Sequence, residues 1–283
     1  LYKMRFVKTL LLSYVKTKFR LLSAISKRKA AEEAFLLFTT PQERTLNDLS
    51  PLFQKADPVS LEFEGHITRG FRWNHPSNKK VLILHGYESS VTNFEPYISP
   101  LIDRGYEVLA FDAPAHGRSN GTQINALIYK TWILQLIQKY GPVKSFIAHS
   151  LGGLALSLAL EDINHDETYK VALIAPATET TTAVNRYFQL LNIGDRIKKE
   201  FEDVILQTGG KDIGWYSVNR ASQYIKAKVL FIQDREDTIT PFTDVKPIME
   251  KQLPNFHFMI TKGLGHRRIY KDDMVVGKIV EFL

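Results

Sequence analysis

The chain has 283 residues, 44% of them hydrophobic and 24% charged, with no cysteine and a formal net charge of +7. That length supports one α/β core of about 200–250 residues plus an accessory segment better than two equal domains. The lack of cysteine excludes disulfides, thiolate metal sites and a cysteine nucleophile, and it fits a reducing compartment, with the cytoplasm the expected location.

The positive charge sits at one end. Residues 1–30 carry nine lysines and arginines and no acid, which leaves −2 for residues 31–283. A slightly acidic body with a basic arm argues against a nucleic-acid groove, and no nucleic-acid partner is expected. Within the arm, Phe6, Val7, Leu10, Leu11, Val15, Phe19, Leu22 and Ile25 recur at nearly helical spacing and predict an amphipathic helix. Its longest uncharged run, Thr9 to Val15, is far too short to span a bilayer. Three placements stay open: docking on its own domain or on a second subunit, lying peripherally on an anionic membrane surface, or remaining a disordered arm. Docking is the favoured one, because Leu36, Leu37 and Phe38 continue the apolar pattern toward the core. The arm is assigned to residues 1–56.

From Asp57 the periodicity changes. Residues 60–73 alternate apolar and polar as an antiparallel hairpin would. Short, almost wholly apolar runs follow at Val81 to Leu84, Val108 to Phe111, Phe146 to Ala148, Val171 to Ile174, Val229 to Ile232 and Phe256 to Ile260, the pattern of strands buried on both faces. Helical segments such as Ala126 to Tyr140 separate them, so the repeated βα units predict a mostly parallel central sheet flanked by helices. Residues 57–177 and 223–283 are assigned to this core. The alternation is interrupted between Ala175 and Ala227 by a charged, aromatic-rich stretch, read as a small helical cap over 178–222. Because it leaves the sheet at a strand's C-terminal end, it is expected to roof a ligand site, with Phe188 and Trp215 as candidate pocket residues.

The most informative segment is Ala148-His149-Ser150-Leu151-Gly152, where an apolar strand stops and a small-residue helix begins. A serine on so sharp a turn holds its hydroxyl away from the backbone, and the N–H of Leu151 then faces any oxyanion formed by attack of Ser150 on a carbonyl. The literal pattern G-x-S-x-G occurs instead at Gly117 to Gly121, but Ser119 lies in a Pro/Gly/Asn-rich loop that opens no apolar helix, so it lacks the required context.

Four segments in order resemble the α/β-hydrolase superfamily over about residues 60–283: His85-Gly86-Tyr87, Phe111 to Ser119, Ala148 to Gly153 and Gly263-Leu264-Gly265-His266. The resemblance implies the α/β-hydrolase fold, with Ser150 as nucleophile, His266 as general base and the N–H groups of Tyr87 and Leu151 as the oxyanion hole. It places the orienting acid in the loop after the penultimate strand, where Asp237 matches by its spacing to Pro241; Asp234, Glu236 and Glu179 are the other candidates. Unless one of them is that acid, Asp234 and Glu236 read as part of a solvated charged loop. His85 and His149 flank the site in structural or pocket-lining roles, and His257 reads as a sheet-face residue.

The implied activity is hydrolysis of a carboxylic ester or thioester, with an apolar acyl part, through an acyl-enzyme on Ser150. Acyl transfer, carbon–carbon bond hydrolysis and lyase chemistry use the same residues, and a non-catalytic scaffold is the reading from a different class. Asp112 and His116 are two metal-type ligands without a third, so a loop-stabilising hydrogen bond is the expected role. No Walker loop, G-x-G-x-x-G or H-E-x-x-H occurs, and neither a metal nor a cofactor is expected.

Overall fold

The computed structural model describes residues 2–283, with side chains from residue 13 onward. The arm side chains of Phe6, Val7, Leu10 and Leu11 therefore lie outside the described residues. The strands are β1 Asp57–Phe63, β2 His66–Trp73, β3 Lys80–Leu84, β4 Glu107–Phe111, β5 Ser145–His149, β6 Lys170–Ile174, β7 Lys228–Asp234 and β8 Phe256–Thr261. The helices in the first half are α1 Tyr2–Ile25, α2 Lys27–Thr39, α3 Pro51–Gln54, α4 Glu95–Asp103 and α5 Ala126–Tyr140. In the second half they are α6 Leu151–Ala159, α7 Thr180–Leu191, α8 Asp195–Gly209, α9 Val218–Ala221, α10 Lys246–Glu250, α11 Gly265–Arg268 and α12 Asp273–Phe282.

All eight strands join one sheet in the order β1-β2-β4-β3-β5-β6-β7-β8. β1 and β2 form the hairpin, β2 runs antiparallel to β4, and every later pair is parallel. This is the α/β-hydrolase architecture, a mixed and mostly parallel sheet with flanking helices. The hairpin closes on Glu64 and Gly65, both with positive φ (49° and 74°), the two-residue turn whose twist matches paired strands. β4 and β5 are buried along their whole length, as are β3 and β6 beyond their first lysine, while the edge strand β8 is only partly covered and leaves His257 exposed. Asn125 starts α5 by accepting hydrogen bonds from the amides of Leu127 and Ile128, which places Trp132 and Leu136 against the sheet. Trp132 donates its indole N–H to Thr68 Oγ1 at 2.9 Å, satisfying a group that burial would otherwise leave unpaired.

The chain divides into two compact units, residues 1–40 with 180–216, and residues 41–179 with 217–283. The second holds the whole sheet. It also takes in residues 41–56, read from sequence as part of the arm: Phe53 is fully buried, edge-on to Phe71 and Trp73 at 5.0 and 5.1 Å, and Trp73 donates to the carbonyl of Leu52. The insertion, read as 178–222, enters the first unit only over 180–216. At the chain crossing Glu179 and Ser217 bridge, the Thr180 amide donates to Tyr216, and the Val218 amide donates to Thr178.

The first unit is helical. α2 presents the small buried residues Ala30, Ala31 and Ala34, which let it approach α8 closely. Phe201 of α8 is fully buried among the rings of Phe35, Phe38 and Phe188 at 5.8, 5.8 and 5.1 Å. Burying one such side chain contributes roughly 1.5–3 kcal/mol. Tyr187 donates its hydroxyl to the Ala34 carbonyl at 2.9 Å, and the Arg28 guanidinium donates to Gln207 at 2.6 Å. The N-terminal helices thus pack on the inserted helices of their own chain. Among the described residues no helix is long and apolar enough to cross a membrane.

Candidate active site

Ser150 occupies the turn between β5 and α6 with φ 54° and ψ −121°, a conformation that side chains rarely adopt and that the surrounding packing must enforce. Its amide donates to the carbonyl of Ile174 on β6, and its carbonyl accepts from the amides of Gly153, Leu154 and Ala177. Two glycines make the turn possible. A Cβ on Gly152 would sit 2.7 Å from the His85 carbonyl oxygen, and one on Gly86 would sit 2.8 Å from Ser150 Cβ. Ala148, at the first small position of the turn, fits within the sheet between Leu84 and Leu173.

From this turn a chain of hydrogen bonds runs across the C-terminal ends of the strands. Ser150 Oγ lies 3.0 Å from His266 Nε2, and His266 Nδ1 lies 2.8 Å from Asp237 Oδ2. Asp237 is fixed on both oxygens: Oδ1 accepts from the amides of Ile239 and Thr240 at 2.7 and 2.9 Å, and Oδ2 accepts from the Thr240 hydroxyl at 2.8 Å. Burial opposes ionisation of this carboxyl, but His266 and these amide donors outweigh it and hold Asp237 below its usual range. With Nδ1–H committed to Asp237, the imidazole presents an unprotonated Nε2 to the serine, the arrangement a general base requires.

The other candidate acids lie apart from this relay. Asp234, expected in a solvated loop unless it served as the acid, is instead fully buried: it accepts from the Glu236 amide at 2.9 Å, the Thr261 hydroxyl at 2.7 Å and the Leu264 amide at 3.0 Å. It ties the acid loop to the loop that carries His266, a role that a dense run of charges conceals in sequence. Burial again opposes its charge, and its donors, with the Gly265 amide among them, pull it below the usual range. Glu236 is exposed, and Glu179 accepts from Ser217 at 2.9 Å. Thr240 is the residue that sequence reading passed over, although an aspartate followed three positions later by threonine is a local turn signal. Its hydroxyl reaches both Asp237 and, at 3.1 Å, His266 Nδ1.

His149 is buried. Its Nε2–H donates to the His266 carbonyl at 3.1 Å, and its ring packs 4.7 Å from that of His266 and 4.4 Å from that of Tyr270. Burial first, then the neighbouring His266, push its pKa well below the ordinary value, so it stays neutral. Phe188 belongs to the interior of the helical unit, against Phe201 and Tyr187, so it is a packing residue there. Trp215 is in the same unit, half-buried, with its ring edge-on to Tyr216 at 5.2 Å.

The loop carrying Gly86 and Tyr87 is clamped by two buried imidazoles. His85 Nδ1–H donates to the Gly86 carbonyl at 2.7 Å and its Nε2 accepts from the Ala113 amide at 2.9 Å. His116 Nδ1–H donates to the Pro114 carbonyl, and its Nε2 accepts from the Glu88 amide at 2.9 Å. Burial lowers these histidines to pKa values of about 4 and about 3, so both act as neutral struts. Leu151 opens α6, where a helix has amides without an intrahelical acceptor. Asp112 spends its carboxylate on the amides of Val91 and Arg118. Ser119 is also fully buried: it donates to the Asp112 carbonyl at 2.5 Å and accepts from the Arg69 amide at 2.8 Å. Among the described residues no group of three or more His, Asp or Glu side chains is placed to hold a metal ion.

Residues 75–228, more than half of the chain, match the family described as serine aminopeptidase, S33. An esterase of Pyrococcus furiosus is 22% identical, over 87% of this chain and 97% of its own, with a TM-score of 0.64. Est1E of Butyrivibrio proteoclasticus, whose structure holds ferulic acid, is 16% identical over 79% of this chain and 97% of its own, with a TM-score of 0.62. The thioesterase domain from the curacin biosynthetic pathway is 17% identical over 80% of this chain and 99% of its own, with a TM-score of 0.56. No curated protein sequence matches the chain.

Proposed function

The chain belongs to the serine aminopeptidase S33 family of α/β-hydrolases, and on that premise we propose that it is a serine hydrolase that cleaves a carboxylic ester or thioester. One observation carries the reading: the hydrogen-bonded relay from Ser150 through His266 to Asp237, at 3.0 and 2.8 Å, on a serine held at φ 54°.

In this mechanism Ser150 Oγ forms a bond to the substrate carbonyl carbon as its proton passes to His266 Nε2. Asp237 holds the imidazole in the productive tautomer and stabilises the imidazolium. The amides of Leu151 and Tyr87 take the negative charge on the tetrahedral oxygen, where loss of one such donor costs roughly 3–4 kcal/mol. Collapse breaks the bond to the alcohol or thiol leaving group, which takes the proton back from His266. Water, activated by the same histidine, then adds to the acyl-Ser150 carbonyl and releases the acid. An ester is favoured by the esterase among the structural neighbours, and the thioester reading by the thioesterase domain among them.

Labelling with a fluorophosphonate tests the assignment. The folded protein is expected to label, and Ser150→Ala to lose the label. No labelling of folded protein would favour a non-catalytic scaffold; labelling retained in Ser150→Ala would move the nucleophile elsewhere.

A further inference from the structure

α1 carries two apolar stripes, and the helical unit covers one of them. Val15, Phe19 and Leu22 follow one another at four- and three-residue spacing; Phe19 is 3% exposed, its two neighbours are half-buried, and α1 packs on α2 and α7. On a helix turning about 100° per residue, Tyr14, Leu21 and Ile25 fall within about 40° of one another and about 100° away from that docked stripe. These three are 67, 65 and 81% exposed. Together with Thr17, Lys18 and Leu22 they line a groove of about 310 Å³. Docking therefore does not use up the apolar character of the arm.

The charge of the arm that carries this second stripe is one-sided. Of the nine cations in residues 1–30, Lys18 and Arg28 pair with Glu33 and Glu32, each at 2.7 Å. Lys16, Arg20, Lys27 and Lys29 make no ion pair among the described residues. By the same helical geometry Lys16 and Arg20 fall about 160° and 120° from the second stripe, and an apolar stripe backed by a cationic polar face fits an interface that offers acyl chains beneath anionic headgroups. A second copy fits poorly, since two such arms would bring like charges together. A polyanion such as nucleic acid would leave Tyr14, Leu21 and Ile25 in water.

We propose that α1 holds the protein on an anionic membrane surface, with Tyr14, Leu21 and Ile25 seated among the acyl chains, the arm's lysines and arginines at the headgroups, and the Val15–Phe19–Leu22 stripe still docked on its own unit. The proposal is independent of the hydrolase assignment. It excludes a membrane-spanning role for α1 and needs no rearrangement of the helical unit.

The test is co-sedimentation of the full chain with phosphatidylcholine vesicles with and without about one-third phosphatidylglycerol, at low and high salt. The wild-type chain is expected to bind the anionic vesicles, to bind the neutral ones weakly, and to be released by salt. Tyr14→Ser, Leu21→Ser and Ile25→Ser combined should weaken partitioning at least about tenfold, with the melting temperature unchanged because these side chains are exposed. Lys16→Gln, Arg20→Gln and Lys27→Gln combined should remove much of the preference for anionic vesicles. Fluorophosphonate labelling, read in parallel, should be the same in all three proteins. No binding by the wild-type chain at low salt overturns the proposal, as does equal binding by the serine variant. So does a wild-type dimer that the serine variant converts to monomer without vesicle binding, which would assign the stripe to a second copy.

Discussion

Replacing Asp237 by asparagine should abolish nearly all turnover through tautomer control, with the fold left intact. Two backbone amides fix which way the side-chain amide must face: Ile239 and Thr240 donate to Oδ1 at 2.7 and 2.9 Å, so the asparagine oxygen is held there. Its NH2 then occupies the position of Oδ2, 2.8 Å from His266 Nδ1, where it donates instead of accepting. The imidazole must answer with an unprotonated Nδ1, which puts its proton on Nε2, facing Ser150 Oγ at 3.0 Å. A histidine in that tautomer cannot take the serine proton. The expected loss in kcat is about 10⁴-fold, or about 5.4 kcal/mol at 1.36 kcal/mol per tenfold. Steady-state kinetics on p-nitrophenyl esters, with circular dichroism to follow the fold, measures it. Asp234→Asn is the control: it sets an NH2 against donors from Thr261 and Leu264 or Glu236, and should cost roughly 1–3 kcal/mol of stability with a far smaller loss of kcat. The reasoning fails if Asp237→Asn stays within about tenfold of wild type while Asp234→Asn, still folded, loses activity about 10⁴-fold.

Three further outcomes follow from the same contacts. Ser119→Ala should keep fluorophosphonate labelling while losing roughly 1–3 kcal/mol of stability in chemical denaturation, because the Arg69 amide loses its acceptor; loss of labelling in a folded variant would return Ser119 to the mechanism. Gly86→Ala should lower kcat by at least about 10²-fold, since the new methyl meets Ser150 Cβ at 2.8 Å and misplaces the turn; wild-type kinetics would show that the loop can retreat freely. Stability should fall on acidification in two stages. Between the ordinary histidine value of 6.5 and about 4, the unfolded chain binds protons that folded His85 and His116 do not, so stability drops there first. Asp234 and Asp237, held below the usual 3.8, contribute stability above that value and lose it as pH falls through their lowered folded values. Urea melts across this range should therefore show the gap between wild type and Asp234→Asn closing only at the acid end, and a gap constant down to the lowest pH would contradict the assignment of Asp234's charge.

Much of the molecule was legible before its structure because the signals are local. A strand buried on both faces must be apolar along its whole length, so β3 to β7 announce themselves, and their alternation with helices leaves a mostly parallel sheet as the economical outcome. A serine wedged between an apolar strand and a glycine-rich helix start is equally local, and that context is what separates Ser150, as the candidate nucleophile, from the literal motif at Ser119. Other properties depend on groups distant in sequence. Asp234 and Asp237 are three residues apart in one charged loop, yet one hydrogen-bonds His266 and the other pins the loop before it, a division that only the return of β8 alongside β7 decides. His149 could be named beside Ser150, but its burial beneath His266 and Tyr270 required the final helices to be in place. Phe188 reads as a candidate pocket residue by its position in an insertion, and nothing local in the sequence announces the ring of Phe201 that packs against it. The arm illustrates the division most plainly: its spacing established an amphipathic helix, but which apolar stripe is covered depends on the shape of α2 and α7. Burial is a property of the neighbours a side chain meets, and sequence periodicity specifies a face without specifying what comes to lie against it.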